Sequence, residues 1–137
     1  MHYYKIFIPF LLLFAANFTN PEEKPEKKHL TMIVFQGSDW CANCIRFDKK
    51  VLHDESFKTY IDQNNIDLML VDFPQKKKIS KQQQSLNDSI AQRFNFDGSF
   101  PTIIITRTDT LLYQEINYIN QSPEEMIQQL EQKKTLL

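Results

Sequence analysis

Cys41 and Cys44 are the only cysteines in a chain of 137 residues, and they stand three positions apart. Random placement gives that spacing in only about 1.4% of arrangements, so the spacing carries information. Two thiols so close can close an intramolecular disulfide and open it again by exchange. The same pair also supplies two of the four ligands of a structural zinc site, with the other two left to a partner or a second copy. A disulfide framework for a small secreted fold takes four or more cysteines, so a purely scaffolding pair is not expected. Ala42 and Asn43 separate the two thiols, and Trp40 directly precedes them.

The chemistry depends on what positions the pair. Residues 30–35 (LTMIVF) form a continuous apolar run with β-branched members, the pattern of a strand buried on both faces. Residues 36–40 (QGSDW) read as a loop. Residues 41–52 then carry apolar side chains near helical spacing, at Cys44, Ile45, Phe47, Val51 and Leu52. Cys41 therefore falls at a helix N-terminus, where unpaired N–H groups and the positive end of the dipole favour a thiolate. That placement makes Cys41 the nucleophile and Cys44, one turn on and facing the core, the resolving thiol. Trp40 is expected to shield the pair from water on one side.

The remaining elements follow in order. A short helix is expected over residues 55–63 and a second strand over 66–73, stopped by Pro74. After the basic loop 76–81, a helix over 82–94 would turn Leu86, Ile90 and Phe94 inward. Strands are expected over 102–106 and 111–116. Ser122, Pro123 and Glu125 make a capping-box start for a last helix. The order is β-α-β-α-β-β-α with one short extra helix: an α/β fold whose four-stranded mixed sheet has helices on both faces. The first β-α-β should be parallel with a right-handed crossover, and the final hairpin antiparallel.

Composition closes off other chemistries. Two glycines, Gly37 and Gly98, are too few and too far apart for a dinucleotide or phosphate loop. Sixteen Lys and Arg against 17 Asp and Glu offer no overall field for nucleic acid, and none is expected as a partner. His2, His29 and His53 lack metalloprotease spacing, and no metal site is expected. His53 reads as a surface residue near a helix C-terminus, and the lysine run 76–78 as a solvated loop, with docking to an acidic partner as its alternative.

The first 18 residues are a separate object. One lysine and an apolar run (IFIPFLLLFAA, residues 6–16) fit a secretory signal, or an uncleaved N-terminal anchor. The run is shorter than the roughly 20 apolar residues of a transmembrane helix. Residues 19–29 then form a polar linker, and residues 30–137 one domain. Export would place that domain where disulfides persist.

The sequence resembles the thioredoxin superfamily, and more narrowly its exported, single-domain bacterial members. The resemblance rests on W-C-A-N-C (Trp40 to Cys44) after a buried strand, on V-D-F (Val71, Asp72, Phe73) and on F-P-T (Phe100, Pro101, Thr102). It covers nearly the whole chain after the linker. It implies a thioredoxin-like fold and a cis Pro101 beside the dithiol, where the residues alone suggest an ordinary trans proline opening a strand. It also implies that backbone beside Pro101 pairs with an extended substrate chain, so Trp40, Phe100 and Pro101 are the expected substrate-binding residues. The sequence departs from thioredoxins proper in two places. No carboxylate lies in the strand 31–35, which leaves Asp39 or a water to take the proton of Cys44; Asp39 reads equally as a helix cap. Ala42-Asn43 replaces Gly-Pro, which leaves the direction of electron flow open.

The expected activity is that of an exported thiol–disulfide oxidoreductase of the protein-disulfide reductase or isomerase type, monomeric and without a cofactor beyond its own dithiol. Its expected partners are protein disulfides and a membrane or periplasmic redox protein that recharges it. A non-catalytic binding module on the same fold, and metal handling by the C-x-x-C pair, are the alternatives.

Overall fold

The computed structural model describes residues 29–108, 110 and 112–137. Residues 1–28, with the expected leader or anchor and nearly all of the linker, lie outside the described residues. No helix among those described is long and apolar enough to cross a membrane.

The elements run β1 (Leu30–Gln36), α1 (Ala42–Phe47), a π-helical turn (Asp48–Leu52), α2 (Glu55–Gln63), β2 (Ile66–Asp72), α3 (Lys81–Arg93), β3 (Thr102–Arg107), β4 (Tyr113–Ile116) and α4 (Pro123–Lys134). They form one four-stranded sheet in the order β2-β1-β3-β4. β1 pairs parallel with β2 and antiparallel with β3, and β3 pairs antiparallel with β4. The mixed sheet and its topology are those the sequence implies.

Central position explains the unbroken apolar run of β1. Met32 and Val34 point to one face, where they meet Phe47 and Val51 ahead of α2 and Met126 and Leu130 of α4. Ile33 and Phe35 point to the other, against Ile104, Val71 and Phe94. Each face of β1 is thus inside its own core, and none of residues 32–35 is more than 2% exposed. α4 begins as its sequence requires: Ser122 Oγ accepts from Glu125 N–H, and the Glu125 carboxylate accepts from Ser122 N–H.

Two elements are bounded differently from the sequence-based expectation. The helix expected over 41–52 is α-helical only to Phe47 and then widens, with His53 N–H donating to Asp48 C=O five residues back. The wider turn brings the adjacent Val51 and Leu52 both into the core, at 0% and 7% exposure. The fourth strand starts at Tyr113 and leaves Leu112 exposed.

α3 differs in its facing. Leu86 is 53% exposed, whereas Asn87 beside it is 3% exposed. Asn87, Ile90, Ala91 and Phe94 fall at i, i+3, i+4 and i+7 and form the stripe that meets the sheet, which leaves Leu86 about 100° away. The polar residue is inside because it has work there. Its amide donates to the Asp72 carbonyl at 2.7 Å, and its side-chain oxygen accepts from Gln83 at 2.8 Å. Asn87→Ala leaves that carbonyl without its donor and is expected to cost about 1–2 kcal/mol. Urea unfolding checks this; a change within a few tenths of a kcal/mol would show that water replaces the amide.

Candidate active site

β1 ends at Gln36, and the chain turns at once. Trp40 N–H and Cys41 N–H both return to the Gly37 carbonyl, at 3.3 and 2.9 Å. Gly37 is required by its neighbour: a Cβ there would overlap the Trp40 indole. The turn delivers Cys41 as the N-cap of α1, with extended backbone (φ −82°, ψ 106°). Its Sγ accepts from Cys44 N–H at 3.1 Å, and its carbonyl accepts from Ile45 N–H at 3.0 Å. Asp39 therefore does not cap this helix; the cysteine caps it.

Cys41 and Cys44 are joined as a disulfide, with Cα atoms 5.2 Å apart. Cys41 is 7% exposed and Cys44 1%. Both residues are buried, and Cys41 is the more exposed of the two.

Two carboxylates fix this turn to its surroundings. Asp72, the last residue of β2, accepts from Ser38 N–H at 2.8 Å and from Ser38 Oγ–H at 2.6 Å. Its own carbonyl holds Asn87, so one residue ties the dithiol turn to α3. Asp39 reaches in the other direction. Its carboxylate accepts from the backbone N–H groups of Gln75, Lys76 and Lys77, at 2.9, 2.8 and 2.8 Å. Among the described residues no hydrogen bond joins Asp39 to either cysteine. Its carboxylate clamps the loop between β2 and α3.

Partial burial pushes the Asp39 carboxyl up, but the three N–H donors and the Lys77 charge outweigh it, and the group ends below the ordinary carboxylate value of 3.8. A depressed folded-state value means that the clamp is fully present above the unfolded value. It is lost as pH falls through the folded one, hence only below about pH 3.8. The protection factors of the Gln75, Lys76 and Lys77 amides, taken relative to intrinsic exchange at each pH, should be high at neutral pH and fall in that acid range, and Asp39→Ala should lower them throughout. Unchanged exchange in the variant would mean that the loop holds itself.

Trp40 is 38% exposed and is fixed by its edges. Its Nε1–H donates to the Phe73 carbonyl at 2.8 Å, and its ring meets Phe100 edge-on with centroids 5.2 Å apart. Phe100 also touches Phe73 and Phe96, and Phe96 stacks on Phe35 of the central strand. A continuous aromatic layer thus runs from β1 to the tryptophan beside the disulfide.

Phe100 leads into a cis Phe100–Pro101 peptide bond. Phe35 pairs with Thr102, so Pro101 lies at the same end of the sheet as Gly37 and the dithiol turn. The approach to it is shaped by Gly98, whose φ of +92° suits glycine, and by the Thr102 hydroxyl donating to Ser99 C=O at 2.8 Å. The structure therefore brings Trp40, Cys41, Cys44, Phe100 and Pro101 to one edge. Sequence reasoning missed the tethering roles of Asp72 and Asn87. The V-D-F match marked Asp72 without saying what it holds, and nothing in the local pattern marked Asn87.

Such a fold, with a C-x-x-C disulfide opening the helix after the central strand, defines a thioredoxin-superfamily protein of thiol–disulfide oxidoreductase-like type. The sequence profile of the thioredoxin-like domain matches residues 21–134, and the chain belongs to that family. A disulfide bond reductase, DsbH, of Chlamydia pneumoniae is 31% identical over 72 residues, which are 53% of this chain and 42% of that protein. The match thus spans less than half of that relative's length. A solved structure of a DsbH oxidoreductase superimposes with a TM-score of 0.72 at 21% identity, covering 80% of this chain and 75% of the other. The C-terminal domain of DsbD from Neisseria meningitidis, in reduced form, gives 0.57 at 15% identity, covering 79% and 84%. At these identities the two structures speak for the fold.

Proposed function

We propose that this chain is an exported thiol–disulfide oxidoreductase that reduces or exchanges protein disulfides through Cys41 and Cys44. The observation that carries the reading is the disulfide at the opening of α1, with Cys41 Sγ already accepting the Cys44 N–H. In the reduced protein that donor faces a thiolate and favours the charged form.

The Cys41 thiolate attacks one sulfur of a substrate disulfide. A mixed disulfide forms, the substrate S–S bond breaks, and the departing sulfur takes a proton from solvent. Cys44 gives its proton to water and attacks Cys41 Sγ. The second substrate sulfur leaves, the Cys41–Cys44 disulfide closes, and two electrons have passed to the substrate. Exchange and oxidation use the same steps in reverse. Trp40, Phe100 and Pro101 line the edge on which an extended substrate backbone is held. The redox group is the dithiol itself, and a membrane or periplasmic thiol protein re-reduces it.

The Chlamydia relative is named as a disulfide bond reductase, which supports the reducing direction. The leader-like residues 1–18 support export. In the mechanism Asp39 is a positioning residue, and the proton acceptor for Cys44 is water.

Cys44→Ser tests the order of events. Without a resolving thiol, covalent mixed disulfides on Cys41 should accumulate when the variant meets extracts of its compartment, and the parent should catalyse insulin reduction. No adducts together with no insulin reduction would overturn the reading. Stoichiometric bound metal in the parent would favour metal handling instead.

A further inference from the structure

Lys76, Lys77 and Lys78 lie in the loop that joins β2 to α3. A surface lysine run is ordinarily a solvated stretch with no fixed place. This one is held. Asp39, two residues before Cys41, binds the backbone N–H groups of Gln75, Lys76 and Lys77, and Trp40 binds the Phe73 carbonyl where the loop begins. The two residues that immediately precede the nucleophile therefore grip the loop from the active edge.

All three lysines are exposed, and among the described residues none makes an ion pair. The carboxylates of the same edge keep their charges but are held by neutral N–H and O–H donors, and none of them pairs with a lysine of the loop. Asp39 accepts from the loop backbone, Asp72 from Ser38, and Asp97 from Ser99 N–H. The whole chain carries a net charge of −1, so the positive charge here is local and not the overflow of a basic protein.

We propose that the Lys76–Lys78 loop, clamped by Asp39, is a docking rim beside the dithiol that selects protein disulfides flanked by acidic residues. The proposal rests on the oxidoreductase reading above and names its substrate class. Rim charges act mainly on encounter. Their effect belongs in the second-order rate constant and fades once salt shortens the screening length.

The test uses two peptides, each with one disulfide, identical except for glutamates or lysines around the cysteines. The reduced full-length chain is mixed with each, and the second-order rate constants are compared at about 0.02 M and about 0.5 M salt. The acidic peptide should react about tenfold faster at low salt, and the two rates should converge at high salt. Changing Lys76, Lys77 and Lys78 together to Gln should bring the low-salt ratio close to one, and changing them to Glu should invert it. Changing Lys49, Lys58 and Lys133 to Gln, on helices over the other face of the sheet, should leave it as in the parent. Equal rates for the two peptides in the parent, or an equal loss of preference in both Gln triples, would overturn the rim and leave the oxidoreductase reading standing. Failure to reduce either peptide, or a small uncharged disulfide, would overturn that reading and the rim with it.

Discussion

Cys41→Ser is expected to abolish disulfide turnover, a loss on the order of a thousandfold or more, while the protein keeps its fold. A hydroxyl in this place keeps the Cys44 N–H donor but supplies no thiolate, and no disulfide can close. The contrast with Cys44→Ser identifies the roles. Cys41→Ser should capture no partner, because the remaining cysteine is 1% exposed, whereas Cys44→Ser keeps the more exposed one. Insulin reduction measures the loss, and circular dichroism shows that the fold survives. Adducts on Cys41→Ser and none on Cys44→Ser would reverse the assignment of nucleophile and resolving thiol.

Phe47→Ala is expected to have the largest effect on stability. The ring is 0% exposed, closes α1 and meets Tyr118 edge-on with centroids 4.9 Å apart. It is packed on the side of β1 that carries Met32 and Val34. Truncation removes its transfer free energy and leaves a cavity that the sheet cannot collapse into, at a cost of about 3–5 kcal/mol. Against a total stability of about 5–15 kcal/mol, that leaves a domain near its threshold. Denaturant titration gives the number, and a loss below about 1 kcal/mol would mean that α1 repacks. Phe47 belongs to the helix that Cys41 caps, so the variant should also loosen the dithiol turn before it unfolds the sheet.

The parts legible in the sequence are those set by short-range pattern. Residues 30–35 announce a strand buried on both faces, and Ser122, Pro123 and Glu125 announce a helix start, because each signal sits within a few residues of its effect. The C-x-x-C pair is legible for the same reason. The parts that were not legible depend on partners distant along the chain. Leu86 looks like a core residue until Asp72, on a strand 14 positions earlier, presents a carbonyl that only an amide at position 87 can satisfy. Asp39 reads as a proton acceptor or a cap because nothing local shows that the Gln75 to Lys77 backbone lies beside it. The π-helical turn is hidden similarly, since the need to bury both Val51 and Leu52 comes from the sheet and not from the helix.

The register of β1 has a consequence for how the protein is made. Leu30 pairs with Ile66, and Phe35 with Thr102, so the strand that carries the dithiol turn has both neighbours only when the chain has been delivered past β3. The two cysteines, three residues apart, can meet long before that. During synthesis the sulfurs are thus present as a pair before the finished domain buries Cys44. Chemical competence comes early and selectivity late, and in that interval the dithiol is open to any oxidant or thiol that the emerging chain encounters.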